Sequence, residues 1–333
     1  MGTLDQRLFA LEPQYRERVW GGQRLCAANP PVGEAWVAYG PSVVLNGPSA
    51  GLTLDALAAG HGQALLGAAV AQRYGTRFPL LIKFLDAADW LSIQVHPNDE
   101  QARRMVGPDE FGKTEAWYFL EAEAEARSII GVKPGVGHDE LAAAIRGGHV
   151  LEIANPLAVR RGEAILIPAG SVHALGPGIL VYELQQASDT TYRVYDWGRP
   201  ASVGRELHLE ESVAVALPIG PTELMHPQVS GETGTAPAIG CEYFDLDLIR
   251  VSPGGGPLSA DTTGRSFHVL TVIEGSAQVS CGNERIALAR FATALVAGST
   301  GSYAIAANDG PASLLRAMVP RQGEDRSGSA ATT

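Results

Sequence analysis

Cysteine is scarce in this sequence, and its three copies are widely spaced. Cys26, Cys241 and Cys281 form no C-x-x-C pair, which argues against both a disulfide framework and a zinc site built from thiolates. No apolar run reaches the length of a membrane span, and the first residues lack the basic and apolar segments of a signal peptide. The sequence therefore predicts a cytoplasmic protein with no membrane partner.

Basic residues are also in short supply. The chain has 25 Lys and Arg against 36 Asp and Glu, a formal net charge of -11. A nucleic-acid-binding surface needs clustered Lys and Arg, so nucleic acid is not expected as a partner. A small phosphorylated ligand stays compatible with this charge, because one local basic cluster can hold one phosphate. With 45% hydrophobic and only 18% charged residues, the chain is expected to fold around a sizeable core.

Glycine and proline, by contrast, are abundant, and their 39 and 21 copies favour a fold rich in tight turns. Short strand patterns run through most of the chain, while residues 53–75 have a helical apolar stripe. We therefore predict a mainly β protein of two jelly-roll barrels with a few helices inserted in the N-terminal part. The predicted divisions are an N-terminal domain at 1–216, a crossover linker at 217–240, a C-terminal barrel at 241–320 and a disordered tail at 321–333.

Potential metal ligands are concentrated in the N-terminal part. Residues 162–173, GEAILIPAGSVH, match the second sequence motif of cupin barrels, which ends on His173. Upstream, Gln94 and His96 lie two residues apart on a predicted strand and so share one face, and Glu115 opens the next strand. Two neutral imidazoles and one carboxylate suit Zn²⁺, and Gln94 can add a weaker oxygen ligand. We expect one zinc ion per chain.

A faint internal repeat supports two copies of one barrel. The pattern of residues 116–126 returns at 268–278. In the second copy Gly301 stands where the first has His173, so the ligand set is incomplete there. The C-terminal barrel is therefore expected to bind no metal, and His268 is expected to be structural.

Residues 107–114 fit the phosphate-loop pattern G-x4-G-K-T, but their context is wrong for it. Such a loop follows a strand and opens a helix, so that the helix N-terminus faces the phosphate. Here the loop follows a helix-like segment and opens a strand, and Asp109 and Glu110 would place negative charge beside a phosphate. We therefore expect no ATP binding.

Three further side chains are candidates for proton transfer and charge stabilisation. Lys113 precedes Glu115 by two residues, so on an extended strand both point into the same cavity. Asp189 and Arg193 offer a carboxylate for proton transfer and a guanidinium for an anion. The residues alone leave open that Lys113 is a solvated lysine and that Asp189 and Arg193 form a surface ion pair.

Seven stretches in the first two-thirds of the chain are similar to those of one enzyme family. They are ERVWGGQRL (17–25), GEAW (33–36), PLLIKFLDA (79–87), LSIQVHPND (91–99), GKTEAWY (112–118), IPAGSVHALGPG (167–178) and YELQQASDTTYRVYDWGR (182–199). In combination they resemble the short, bacterial form of the type I mannose-6-phosphate isomerases. After residue 240 the match is to the fold pattern only.

The resemblance implies a function and a set of site residues. Mannose 6-phosphate and fructose 6-phosphate would be interconverted through an enediol(ate), so the partner is a small sugar phosphate. Zinc would be held by Gln94, His96, Glu115 and His173. Arg193 would be the catalytic arginine, with Asp189 four residues before it and Lys113 in the motif of the zinc-binding glutamate. The general base stays open among Lys113, His96 and Asp189.

Two other classes of protein use related barrels. A cupin dioxygenase holds iron with a similar set of His, Glu and Gln side chains. A sugar-binding cupin without catalysis would bind its ligand without turnover, although Lys113 and Arg193 beside a full ligand set speak against it. The sequence gives no oligomeric state.

Overall fold

The computed structural model describes residues 4–200, 205–220 and 222–320. Within them the chain forms 21 β-strands and seven α-helices, so the prediction of a mainly β fold is confirmed. The predicted tail at 321–333 lies outside the described residues. No helix in the described ranges combines the length and the apolar character needed to cross a membrane.

The strands are short and are spread over the whole described chain. In chain order they are β1 (Leu8–Leu11), β2 (Gln14–Gly22), β3 (Val32–Ala38), β4 (Leu80–Ala87), β5 (Ile93–Val95), β6 (Glu115–Ala122), β7 (Arg127–Val132), β8 (Ala154–Ala158), β9 (Ala164–Ile167), β10 (His173–Ala174), β11 (Ile179–Gln186), β12 (Tyr192–Tyr195), β13 (Gly234–Gly240), β14 (Asp245–Val251), β15 (Leu258–Asp261), β16 (His268–Glu274), β17 (Ala277–Cys281), β18 (Glu284–Leu288), β19 (Thr293–Val296), β20 (Ser302–Ala307) and β21 (Ala312–Met318).

The helices are inserted between strands of the first two-thirds of the chain. They are α1 (Leu54–His61), α2 (Gln63–Leu66), α3 (Ala68–Tyr74), α4 (Asp99–Met105), α5 (His138–Gly147), α6 (Val150–Ile153) and α7 (Leu209–Val215). Single 3-10 turns occur at Gly47–Ser49, Pro253–Gly255 and Gly298–Thr300.

Contacts divide the chain into two compact units whose segments interleave along the sequence. Of the described residues, unit 1 takes 4–14, 37–81 and 227–320, and unit 2 takes 15–36 and the described part of 82–226. This differs from the predicted linear division, because β1 pairs in antiparallel register with β19 and so belongs with the C-terminal strands. The predicted linker at 217–240 also contains a strand, since β13 pairs with β14.

Unit 2 has two sheets on either side of an apolar core. One has the strand order β2-β3-β4-β11-β6-β9, and the other has the order β12-β5-β10-β7-β8. Trp117, Phe119 and Val181 belong to the core between them. The outer face of the five-stranded sheet packs against α5, α6 and α7, where Ile93 and Val95 of β5 are buried. The predicted alternation along β5 is therefore confirmed, and it turns Gln94 away from those helices.

Unit 1 repeats this architecture of two sheets. Its strand orders are β1-β19-β16-β21-β14-β13 and β15-β20-β17-β18. The buried residues between them, such as Leu270, Val279 and Ile305, are apolar and come from both sheets. The sheets of both units are in keeping with a cupin-like fold, while the number of barrels stays a prediction.

The predicted helix at 53–75 is present but divided. Thr53 caps α1 by accepting a hydrogen bond from the backbone N–H of Ala56, as its position suggests. Gly62 and Gly67 then adopt positive φ angles of 44° and 90°, which end α1 and α2. A Cβ atom at Gly67 would lie 2.3 Å from the carbonyl oxygen of Arg265, so the chain needs glycine there.

Candidate active site

Three side chains from separate strands of unit 2 meet at one point. His96 directly follows β5, Glu115 opens β6 and His173 opens β10. The main chain of His173 is paired with that of Gln94, which brings β5 and β10 together. One potential ligand atom of each of the three side chains lies within 4.8 Å of the others, and all three residues are buried. The three residues that were selected from their spacing in the sequence therefore lie together in one cluster of two imidazoles and one carboxylate.

Backbone carbonyl groups fix how the two imidazole rings present their nitrogens. Nδ1 of His96 lies 2.9 Å from the carbonyl oxygen of Thr190, and Nδ1 of His173 lies 2.9 Å from that of Ser171. Because a carbonyl oxygen only accepts, each Nδ1 carries a proton, and Nε2 is the nitrogen through which each ring can bind a metal ion. These Nε2 atoms face Glu115, at 3.5 Å from its Oε2 for His96 and 3.0 Å from its Oε1 for His173.

The cluster holds Glu115 as an anion and His96 as a neutral base. Burial opposes ionisation of Glu115, but the ammonium group of Lys113 holds the pKa of this carboxyl well below its usual value. Lys113 Nζ lies 3.5 Å from Glu115 Oε2. Burial, together with the Lys113 cation, holds the pKa of His96 well below the ordinary value of histidine.

The cluster consists of hydrogen-bond acceptors that face one another. In the described part of the chain, His96 Nε2, His173 Nε2 and both carboxylate oxygens of Glu115 are buried and accept no hydrogen bond. Lone pairs that converge without donors are stabilised by a cation. The residues present therefore fit a divalent metal ion, and the cluster can bind one.

The other predicted site residues line a cavity in unit 2. Gln94, Lys113, Asp189 and Arg193 all border this cavity, whose volume is about 480 Å³. Gln94 is half-buried and Asp189 is exposed. Lys113 connects the cavity to the cluster, because its ammonium group is also the ion-pair partner of Glu115.

A charged network beside the cavity was not predicted from the sequence. Lys83 Nζ lies 2.9 Å from Glu183 Oε1, and the indole N–H of Trp117 donates to Glu183 Oε2 at 2.7 Å. Glu34 accepts a hydrogen bond of 2.7 Å from the guanidinium of Arg18. Burial opposes the charge on Lys83, but Glu183 and Glu34 raise the pKa of its ammonium group above the ordinary value. Lys83, Glu34 and Glu183 all border the cavity, so its wall carries fixed charges of both signs.

The sequence did contain a signal for this network. Lys83 interrupts the apolar run of β4, and Glu183 interrupts the apolar run of β11. Both strands are buried along their whole length. A charged residue in a fully buried strand needs a partner, so each interruption indicated a buried ion pair without identifying the second residue of the pair.

A second cluster of charge lies at the Arg193 side of the cavity. Ser92 Oγ accepts hydrogen bonds from Arg193 Nε at 3.2 Å and from Arg205 Nη2 at 3.0 Å. Arg205 Nε lies 3.2 Å from Asp196 Oδ2. Burial, with the neighbouring Arg193 and Arg199 cations, lowers the pKa of Arg205 to about 10 against the opposing effect of Asp196. Within the described residues, Arg205 Nη1 is buried and donates no hydrogen bond. The cluster therefore has positive charge available for an anion.

Comparison with known proteins assigns the chain to a family. Residues 8–118 match the model of the phosphomannose isomerase type I catalytic domain. The chain is 38% identical over 284 residues to mannose-6-phosphate isomerase ManA of Bacillus subtilis, covering 81% of this chain and 87% of that protein. It is 35% identical over 292 residues to mannose-6-phosphate isomerase of Streptococcus mutans, covering 84% and 88%. The chain belongs to the type I phosphomannose isomerase family.

A solved structure extends the family likeness to the whole fold. The crystal structure of mannose 6-phosphate isomerase from Bacillus subtilis superposes with a TM-score of 0.82 at 30% identity, covering 94% of this chain and 99% of that one. As a phosphomannose isomerase, the chain is an enzyme, and the sequence-based assignment to the family is confirmed. Family membership favours neither the dioxygenase nor the non-catalytic sugar-binding protein.

Proposed function

We propose that this phosphomannose isomerase interconverts mannose 6-phosphate and fructose 6-phosphate at a single zinc site. The observation that carries the proposal is the buried, acceptor-only cluster of His96, Glu115 and His173 beside a polar cavity. Gln94 completes the proposed ligand set as a weaker oxygen donor. Two imidazoles and a carboxylate are the donor set that zinc prefers at catalytic sites. When bound, the ion supplies a Lewis acid that polarises oxygen atoms in the site.

The reaction requires one group to move a proton between two neighbouring carbons. A base removes the C2 proton of the open-chain aldose, the C–H electrons form a C1=C2 double bond, and O1 gains the negative charge. Return of a proton to C1, with transfer of the O2 proton to O1, gives the ketose. In the proposed metal-bound site His96 has no free nitrogen for this task, since Nδ1 faces Thr190 and Nε2 is the proposed zinc ligand. That leaves Lys113 and Asp189, both on the cavity wall, for the proton transfer.

Arg193 and Arg205 have separate proposed roles. Arg193 stabilises the oxyanion that develops during proton transfer, which an anchored guanidinium can do without rearrangement. Its Nε is held by Ser92 and its Nη1 by the carbonyl oxygen of Glu206. Arg205 offers a buried Nη1 for the substrate phosphate. Phosphate is remote from the reacting carbons, so its binding energy can hold the sugar in place for the chemistry.

A coupled isomerase assay tests the proposal. Metal-stripped protein should be inactive with mannose 6-phosphate and should regain activity when zinc is restored. kcat/KM should be higher for mannose 6-phosphate than for free mannose. Arg205→Gln should reduce the ratio of these two kcat/KM values. Equal kcat/KM values for the two sugars would assign the enzyme to unphosphorylated substrates. Full activity after removal of all metal would exclude the zinc site.

The proton-transfer group can be identified separately. In deuterated water, the isomerase should incorporate deuterium into the product and into recovered substrate. Asp189→Asn or Lys113→Met should abolish this exchange if the changed residue is the base, while the zinc content of the variant stays the same. Exchange at the wild-type rate in both variants would exclude both residues.

A further inference from the structure

Gln185 is a buried glutamine on β11, directly opposite Glu115 of β6 in the antiparallel register. Residues opposite each other in such a pair lie on the same face of the sheet. Glu183, two residues earlier on β11, borders the cavity, and side chains two apart share one face of a strand. The side chain of Gln185 is therefore on the face that carries Glu115.

The two ends of the Gln185 amide have different surroundings. Its Nε2 donates hydrogen bonds to the carbonyl oxygens of Gln186, at 3.0 Å, and of Ser188. Both amide protons are thus used by the main chain, and the group cannot turn over without losing them. Its Oε1 is buried and, within the described residues, accepts no hydrogen bond. The main chain thus holds a neutral amide whose carbonyl oxygen, the negative end of the amide dipole, accepts no hydrogen bond from the described residues.

This oxygen adds a fifth acceptor atom to the four of the cluster. It shares its sheet face with the carboxylate oxygens of Glu115, while the two imidazole nitrogens come from the five-stranded sheet opposite. An amide oxygen and a carboxylate repel each other unless a cation or a donor lies between them. The contacts through Nε2 explain how the side chain is held, but they do not explain why a fully buried oxygen is left unpaired beside an anion. A fixed dipole whose negative end faces a bound cation accounts for both observations.

We propose that Gln185 is a positioning residue of the metal centre, whose anchored side-chain carbonyl raises the affinity of the cluster for a divalent cation. The inference rests on the proposed metal at His96, Glu115 and His173, and it is independent of the substrate. Because the main chain holds the amide, the oxygen is oriented before the ion binds, and no side-chain freedom is lost on binding.

Zinc affinity of two variants distinguishes this role from simple support of the 186–190 segment. Gln185→Met removes both the free oxygen and the two N–H donors, and it should weaken zinc binding about tenfold or more. Gln185→Glu also loses the donors but keeps an oxygen on the free side, so it should bind zinc at least as tightly as the wild type. Leu184→Met, a buried neighbour on the opposite face of β11, is the matched control and should leave the affinity unchanged.

The measurement is a competition titration of the whole chain with a zinc-binding indicator. The rise in melting temperature between chelator and saturating zinc, taken for each variant against its own metal-free form, checks the result independently of the starting stability. Equal losses of affinity in Gln185→Met and Gln185→Glu would mean that the amide only supports the main chain, and unchanged affinity in both would also overturn the inference. A wild-type chain that binds no zinc would overturn the proposed metal site itself, which is a distinct result.

Discussion

The hydrogen-bond partner of one ring nitrogen influences which role a buried histidine of this chain can take. His96 and His173 each give Nδ1–H to a backbone carbonyl and turn Nε2 towards Glu115. His268 of unit 1 is equally buried, but its Nδ1 lies 2.8 Å from the hydroxyl of Tyr303. Within the described residues it belongs to no group of side chains that could hold a metal ion.

Replacement of a proposed zinc ligand and replacement of the proposed catalytic arginine should have different consequences. His173→Ala and Glu115→Ala should lose bound zinc and isomerase activity together, because each removes a charged or lone-pair donor from a three-residue set. Arg193→Ala should keep its zinc and lower kcat by about 100-fold or more, since it removes a contact that strengthens in the transition state. Metal analysis and steady-state kinetics on the same samples check both expectations.

The control for this series is His226→Ala. His226 is an exposed histidine of unit 2, so its replacement should change neither zinc content nor kcat. If Arg193→Ala also empties the site, the arginine is structural and its catalytic assignment is wrong.

The segment between α4 and β6 illustrates how the phosphate-loop pattern depends on the secondary structure that surrounds it. The backbone N–H groups of Gly112 and Thr114, which a phosphate loop would offer to its ligand, are already used. Gly112 donates to Asp99 Oδ1 at 2.7 Å, and Thr114 donates to Gln186 Oε1 at 2.9 Å. The segment follows a helix and leads into a strand, so it does not open a helix as a phosphate loop does. The N-terminus of α4, which packs on Gly112, is already capped by Asn98.

ATP should therefore neither bind nor be hydrolysed. Calorimetric titration with ATP and Mg²⁺ should give no heat beyond dilution, for the wild type and for Lys113→Ala alike. Micromolar affinity that disappears in Lys113→Ala would contradict this expectation and would restore the phosphate-loop interpretation.

The sequence predicted individual strands and helices better than it predicted which of these elements pair with one another. The face shared by Gln94 and His96 and the helical stripe of residues 53–75 depend only on neighbours within a few residues, so both could be predicted. The metal cluster was predictable because its motifs carry the ligands at fixed spacing. Lys83 and Glu183 were missed because their pairing joins strands about 100 residues apart, and neither strand identifies the other by itself.

The buried imidazole of His268 should make the stability of unit 1 depend on pH. Burial, and secondarily the Arg316 cation, lowers the pKa of His268 to about 3. Between the unfolded value near 6.5 and this folded value, the unfolded chain binds more protons, so stability falls as pH falls through that window. His268→Gln should remove this loss of unfolding free energy at low pH. From pH 7 to pH 4 the wild type should lose about 3 kcal/mol more unfolding free energy than the variant.

Urea unfolding at the two pH values measures this difference, because other titrating groups are common to both proteins. His61→Gln, which changes a half-buried histidine of unit 1, is the control and should follow the wild type. Equal pH dependence of the wild type and His268→Gln would show that His268 keeps an ordinary pKa.

The two units have similar sheets but different interiors. Unit 2 contains the His96, Glu115 and His173 cluster together with the cavity beside it. In unit 1 the core between the sheets is built from apolar side chains, and the buried hydroxyl groups of Thr271 and Thr293 pair with each other at 3.0 Å. The repeated architecture therefore carries a candidate metal site in unit 2, while the described residues of unit 1 contain no such cluster.

We expect the full chain to bind one zinc ion, with its effects on backbone dynamics concentrated in unit 2. Native mass spectrometry should show one zinc per chain for the wild type and none for His173→Ala. A ligand at about 1,000 times its Kd stabilises the state that binds it by about 4 kcal/mol, so zinc should slow amide exchange in β5 and β10, which carry or adjoin the ligands. Exchange in β14, β16 and β21 of unit 1 should be nearly unchanged, because no ligand of the proposed site lies there. A second zinc ion that persists in His173→Ala, or metal-dependent protection confined to the strands of unit 1, would place a metal where the present assignment has none.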